Sequence, residues 1–181
     1  NSNSNSTSPL MIYHPKYLRI VDVFNAVNDA RKNPIKWVDK ITEKYIKKMD
    51  KDNVTHTEWK KKFKERLPAM NEAVTFLKAA KPVPPFILNV GMSYAGFKHS
   101  IFMINKGKLD HTGKGGSSMS NRLEEYGDWE TTIGENILKT TNFTRDPELI
   151  VMEWLIDDGV KNRGHRQNLM KKDFKVVGVG I

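Results

Sequence analysis

Apolar positions first fall into a helical rhythm near Tyr17. Leu18, Val21, Phe24 and Val27 recur at three- and four-residue steps and predict one apolar helix face. Asn33-Pro34 interrupts it, because the residue before a proline avoids helical backbone angles. Ile35, Val38, Ile41, Tyr45 and Met49 form a second stripe. After a polar loop at 50–55, Thr57 is placed to cap a third helix carrying Trp59, Phe63 and Leu67. Pro68 opens another, with Met70, Val74 and Leu77. The prolines of 81–85 make a stiff extended connector. Leu88, Met92, Ala95, His99, Phe102 and Met103 then restore helical spacing. The stretch 106–121 is rich in glycine and serine and too long for an ordinary connection, which is characteristic of a functional or mobile loop. Asp146-Pro147 joins a capping side chain to a first-turn proline. That pair starts a helix with Leu149, Met152, Leu155 and Ile156, ending near Asp158-Gly159. The valine-rich alternation of 174–181 predicts a strand, and 131–133 and 137–138 are shorter strand candidates. The pattern alone gives an α+β class with helices dominating the first half.

The chain begins differently. NSNSNSTSP is polar and nearly repetitive, and such composition cannot offset the entropy of ordering, so residues 1–12 are expected to be a disordered tether. Residues 13–181 are expected to form one domain, a length that suits a single core. No cysteine is present, which excludes disulfides, Cys-ligated zinc and thiol catalysis. The net charge of +9 would suit an anionic partner. Residues 36–66, however, interleave eleven Lys and Arg with six Asp and Glu among apolar anchors, the pattern of solvated amphipathic helices. Aromatic-basic signatures of nucleic-acid modules are missing, so no nucleic-acid partner is expected.

Five histidines are candidates for chemistry. None stands in a compact ligand pair, and His99, on an apolar face, reads as a satisfied core histidine. His111 and His165 differ. His111 opens a glycine-rich loop, and His165 lies in Asn162-Arg163-Gly164-His165, just past a predicted helix end. Glycine permits backbone geometry there that other residues resist, and such loops often hold sites. Gly134-Glu135-Asn136 adds a carboxylate between a glycine and an amide.

These elements together resemble the CAP superfamily (the cysteine-rich secretory, antigen 5 and pathogenesis-related group), in its bacterial type. His111, Gly116-Ser117, Arg122 and Tyr126-Gly127 match one signature, and Gly134-Glu135-Asn136-Ile137 a second. The run from Asp157-Asp158-Gly159-Val160 to Gly164-His165-Arg166-Gln167-Asn168 matches a third, and 174–180 the strand that follows. Asn28, Arg31 and Pro34 fit the first helix. The likeness spans roughly residues 18–181, with 45–70 fitting poorly, as a lineage-specific insertion would. It implies a three-layer α-β-α sandwich with a central antiparallel sheet, and a cleft where two histidines meet two acids. His111, Glu135 and His165 map onto that cleft. The fourth position is open between Asp157, three residues after Trp154, and Asp158.

The resemblance makes the chain a tethered or secreted surface protein, extracytoplasmic and non-enzymatic. Its expected ligand is a lipid, a sterol, or a host or envelope partner. Its lysine- and asparagine-rich composition suits a spirochaete-type outer-surface lipoprotein, held by an N-terminal lipid rather than a membrane span. No cofactor is required, although His111 and His165 could bind zinc weakly, two histidines being an incomplete ligand set. The alternative is a metal-assisted peptidase, with Glu135 as base beside zinc-bound water. A purely structural hydrogen-bonded network around the same residues is a further reading.

Overall fold

The computed structural model describes residues 19–47, 64–139 and 146–181. The expected tether lies outside the described residues, as do Thr57, Trp59, Phe63 and most of the expected insertion. Helix α1 spans Ile20–Lys32 and buries Val23, Ala26, Val27, Ala30 and Arg31. Val21, read as an anchor, is 43% exposed. The buried stripe is rotated because Ala26 and Ala30 are small enough for a neighbouring helix to lie close, a contribution that apolar bulk alone does not reveal. Pro34 opens α2, Pro34–Ile41, at its first turn. Val38, Ile41 and Tyr45 of the expected stripe are buried, but Trp37 is fully buried in place of Ile35, which is 60% exposed. The indole tolerates burial because its Nε1 donates to Asp29 Oδ2 at 3.0 Å. A π-helical turn, Thr42–Ile46, continues α2 and buries Tyr45.

Helix α3, Leu67–Ala79, buries Ala69, Met70, Ala73 and Leu77. The proline-rich connector leads to strand β1, Ile87–Leu88. Helix α4, Val90–Lys106, is capped by the Asn89 side chain and stopped by Gly107 in left-handed backbone. Within the glycine-rich stretch lie a short 3-10 turn, Lys114–Gly116, and helix α5, Met119–Glu124, begun by a Ser118–Asn121 capping box. Helix α6, Pro147–Ile156, starts at the Asp146 cap as its sequence demands. Helix α7, Gly164–Met170, contains His165, which therefore sits in a first turn rather than in the loop expected for it. Strand β2 is Val176–Val177.

Helices α1, α2, α3, α6 and α7 enclose one core. The final segment separates it from α4 by simple alternation. Val177 and Val179 pack on the core, whereas a Cβ on Gly178 or Gly180 would collide with the α4 backbone at residues 92–93 and 96–97. The layering of helix, extended chain and helix thus agrees with the expected sandwich. The central antiparallel sheet does not appear among the described residues. β1 and β2 pair in parallel, Ile87 with Val176 and Leu88 with Val177. Residues 131–133 and 137–138 form no ladder. The 134–136 segment between them is held by side-chain contacts of Glu135 and Asn136 instead.

Three arginines organise these layers. Arg31 is fully buried. It donates to the carbonyls of Pro84 (2.8 Å), Leu169 (2.6 Å), Lys171 (3.1 Å) and Phe174 (3.2 Å), and lies 3.7 Å over the Phe86 ring. Burial pulls its pKa down to about 10, so it remains cationic at neutral pH. Arg163 bridges Glu65 (2.6 and 2.7 Å) and Glu72 (2.7 Å), and Arg166 joins Glu72 at 2.7 Å. This cluster binds the start of α3 to the turn before α7.

Arg31→Met is expected to lower stability by at least ~3 kcal/mol in urea unfolding, because four carbonyls lose their donor inside the core. The arginine–glutamate cluster predicts an acid response. Hydrogen bonds from Arg163 and the Gly159 amide hold Glu65 down to about 2, from an ordinary 4.5, and Glu72 is lowered by Arg163 and Arg166. A depressed folded pKa gives stability that is complete above the unfolded value and is lost as pH falls through the folded one. The thermal midpoint of Glu65→Gln should therefore fall less steeply than that of the parent between pH 4.5 and 2.

Candidate functional site

The two histidines are set by different local devices. Asp157 ends α6 in left-handed backbone (φ 56°), which turns its side chain toward the start of α7. Its carboxylate is 1% exposed. Oδ2 accepts the backbone N–H groups of His165 (2.9 Å) and Arg166 (3.3 Å), while Oδ1 accepts His165 Nδ1 at 2.7 Å. A carboxylate at a helix N-terminus satisfies otherwise unpaired amides and suits the helix dipole. The same group thus starts α7 and orients the His165 ring.

Asp158, the other candidate for the fourth position, turns elsewhere. It accepts the backbone N–H groups of Lys64, Glu65 (2.7 Å) and Arg66 (2.8 Å), so it anchors the approach to α3. No hydrogen bond joins it to either histidine among the described residues.

His111 meets Glu135. Its Nδ1 donates to Oε1 at 2.7 Å, and Oε2 accepts Arg122 NH2 at 2.6 Å. Arg122 also donates through NH1 to the carbonyls of His111 (2.9 Å) and Ser117 (3.2 Å). Its side chain is 11% exposed, which strengthens a bond to a carboxylate. Arg122 therefore fixes both the loop that carries His111 and the acid that orients it. Asp110, next to His111, is held down to about 2 by the Thr112 amide and Lys106, which pins the loop from its other end.

Asn136 links the two pairs. Its Nδ2 donates to the His165 carbonyl at 3.1 Å, and its Oδ1 accepts Asn168 Nδ2 at 3.0 Å. Gly134 is required for this approach, because a Cβ there would lie 2.8 Å from Asn168 Oδ1. The structure brings His111 directly to Glu135 and His165 directly to Asp157, with residues 134–136 between them. Three positions were not read as site residues from sequence: Arg122, Asn136 and Asn168. All three stand inside the quoted motifs, but spacing assigns them no partner. His99 is buried, with its Nε2 2.8 Å from the Asp110 carbonyl, yet its Nδ1 lacks a partner among the described residues, so it is only half satisfied.

Each ring thus commits Nδ1 to a carboxylate, and neither Nε2 has a hydrogen-bond partner among the described residues. The His111 side chain is 59% exposed and that of His165 22%. Carboxylate-held imidazoles are the form that zinc ligands take. Among the described residues, however, no three His, Asp or Glu side chains converge on one point. A structural zinc site uses four protein ligands and a catalytic one three, so this donor set falls short of either. A cavity of about 260 Å³ lies elsewhere, lined by Lys40, Glu43, Lys44, Asp146, Glu148 and Met152.

Comparison with known proteins places this arrangement. No curated protein and no solved structure gives a significant match. The family model for CAP, described as the cysteine-rich secretory protein family, matches residues 24–181, which include every residue of the histidine–carboxylate site. With most of its length and the whole site inside that match, the chain belongs to the CAP family.

Proposed function

We propose that this chain is a non-enzymatic CAP module working outside the cytoplasm. It holds a lipid, a sterol, or a host or envelope protein, with the outward Nε2 atoms of His111 and His165 as polar contacts. The observation that carries the reading is the commitment of both acids to positioning neighbouring groups. The two oxygens of Glu135 are taken by His111 and Arg122, and those of Asp157 by His165 and the α7 amides. Every oxygen of the two carboxylates thus already holds a ring, a guanidinium or helix amides in place, the arrangement of a positioning group rather than of a base facing a substrate proton. No serine or threonine hydroxyl is bonded to either ring among the described residues, so a nucleophile of the hydroxyl–histidine kind lacks support.

The extracytoplasmic assignment rests on the family's secretory character and the polar leader. No described helix is long and apolar enough to cross a membrane, and a lipid attached ahead of the polar leader would supply the anchor. The reading contains no metal step, because a divalent ion would meet two imidazoles and too few further donors.

A panel of lipid vesicles, sterols and envelope fractions is expected to reveal saturable binding. His111→Ala combined with His165→Ala should weaken that binding about tenfold, the loss of one or two net hydrogen bonds. Binding to nothing in the panel defeats the proposal. Turnover of a peptide library that disappears in Glu135→Gln would instead establish a hydrolase. In calorimetry, zinc should give no saturable binding in the micromolar range. Micromolar affinity that is lost in the double histidine variant would show that the ligand set is complete after all.

A further inference from the structure

Helix α4 carries a second surface that the histidine site does not use. Val90, Tyr94, Phe97, Ile101 and Ile104 are 81, 53, 39, 42 and 72% exposed. They recur at alternating steps of four and three, and at 3.6 residues per turn they occupy an arc of about 80°. The final segment packs on the other side of the helix, through Met92, Ser93 and Gly96. The apolar stripe therefore faces away from the body of the protein.

We propose that this face pairs with a second copy of the same chain, α4 against α4 around a two-fold axis. Three observations favour that occupant. First, the spacing averages 3.5 residues, the repeat of a helix–helix seam, and so narrow a stripe differs from the broader apolar face of a helix lying in a bilayer. Second, exposed Tyr94 and Phe97 form an aromatic group with half-buried Tyr126, Tyr94 lying 5.5 Å edge-on to Tyr126 and 6.2 Å from Phe97, the residue types that anchor protein interfaces. Third, the charges suit self-association. Lys98, beside Phe97, pairs with Glu125 at 2.7 Å, and Lys106 pairs with Asp110 at 3.0 Å. An anionic membrane would call for unpaired cations, whereas a two-fold partner meets the adjacent Lys98 and Glu125 with opposite charges of its own.

The area is adequate. The stripe presents on the order of 500 Å² of apolar surface, near the upper end of what a monomer exposes. The polar residues flanking the stripe would extend it toward the ~800 Å² per partner of a standard interface.

Sedimentation equilibrium over a wide concentration range tests the proposal. The full chain is expected to dimerise with a micromolar Kd. Phe97→Glu combined with Ile101→Glu should raise that Kd at least 100-fold while leaving the circular dichroism spectrum and thermal midpoint unchanged, because both side chains are substantially exposed. Lys98→Glu should weaken the dimer, and adding Glu125→Lys should restore it. A parent that stays monomeric at the highest concentration overturns the proposal. So does a dimer indifferent to the double glutamate variant. Cosedimentation of a monomeric parent with phosphatidylglycerol vesicles, lost in that variant, would assign the face to lipid and likewise overturn it.

Discussion

A buried guanidinium with no carboxylate partner among the described residues holds this protein together. Arg31 offers its donors to four carbonyls from three places in the chain: the proline-rich connector, the end of α7 and the approach to β2. A cation taken out of water is costly unless its hydrogen-bonding capacity is met, and here peptide oxygens meet it. Because those oxygens belong to segments more than fifty residues away, the arginine works as a long-range staple in a chain without disulfides. Asn28, one turn earlier, adds a reciprocal amide clamp on Phe86, donating at 3.1 Å and accepting at 2.7 Å. Together they fix where β1 begins and hence where α4 leaves the core.

The histidine site follows the same economy, with each polar side chain doing two jobs. Asp157 stops α6 and starts α7 while orienting His165. Arg122 ties down a glycine-rich loop while holding Glu135. A network in which every member is satisfied is rigid, and rigidity suits the presentation of two ring nitrogens to a ligand. Each carboxylate oxygen is engaged in holding a neighbour, while the Nε2 atoms of His111 and His165 have no partner among the described residues. Beside the loop that carries His111, the buried His99 ring keeps one nitrogen without a partner among the described residues.

Helix α4 separates two kinds of surface. Its inner side meets glycines of the final segment at backbone distance, while its outer side is aliphatic and aromatic. Had the outer side only to face water, its apolar residues would bring no gain. The histidine–carboxylate pairs and this stripe arise from different elements, so occupation of one proposed surface leaves the other open.

The order of motifs in the sequence determined the family and the layering of helix, extended chain and helix, and it singled out His111, Glu135 and His165, which the structure places in two histidine–carboxylate pairs. Caps and stops such as Asp146-Pro147 and Asn33-Pro34 were also legible, because they act over a few residues and their chemistry is local. Other features were decided only by tertiary packing. Asp157 and Asp158 are neighbours of identical chemistry, and nothing in their order says which faces His165. Left-handed backbone at Asp157 sends one carboxylate to α7 and the next to residues 64–66. The exchange of Trp37 for Ile35 in the core, the short parallel ladder, and the pairing of Arg122 with Glu135 have the same origin. Each depends on which distant segment lies alongside, and periodicity along one segment carries no information about its neighbours in space.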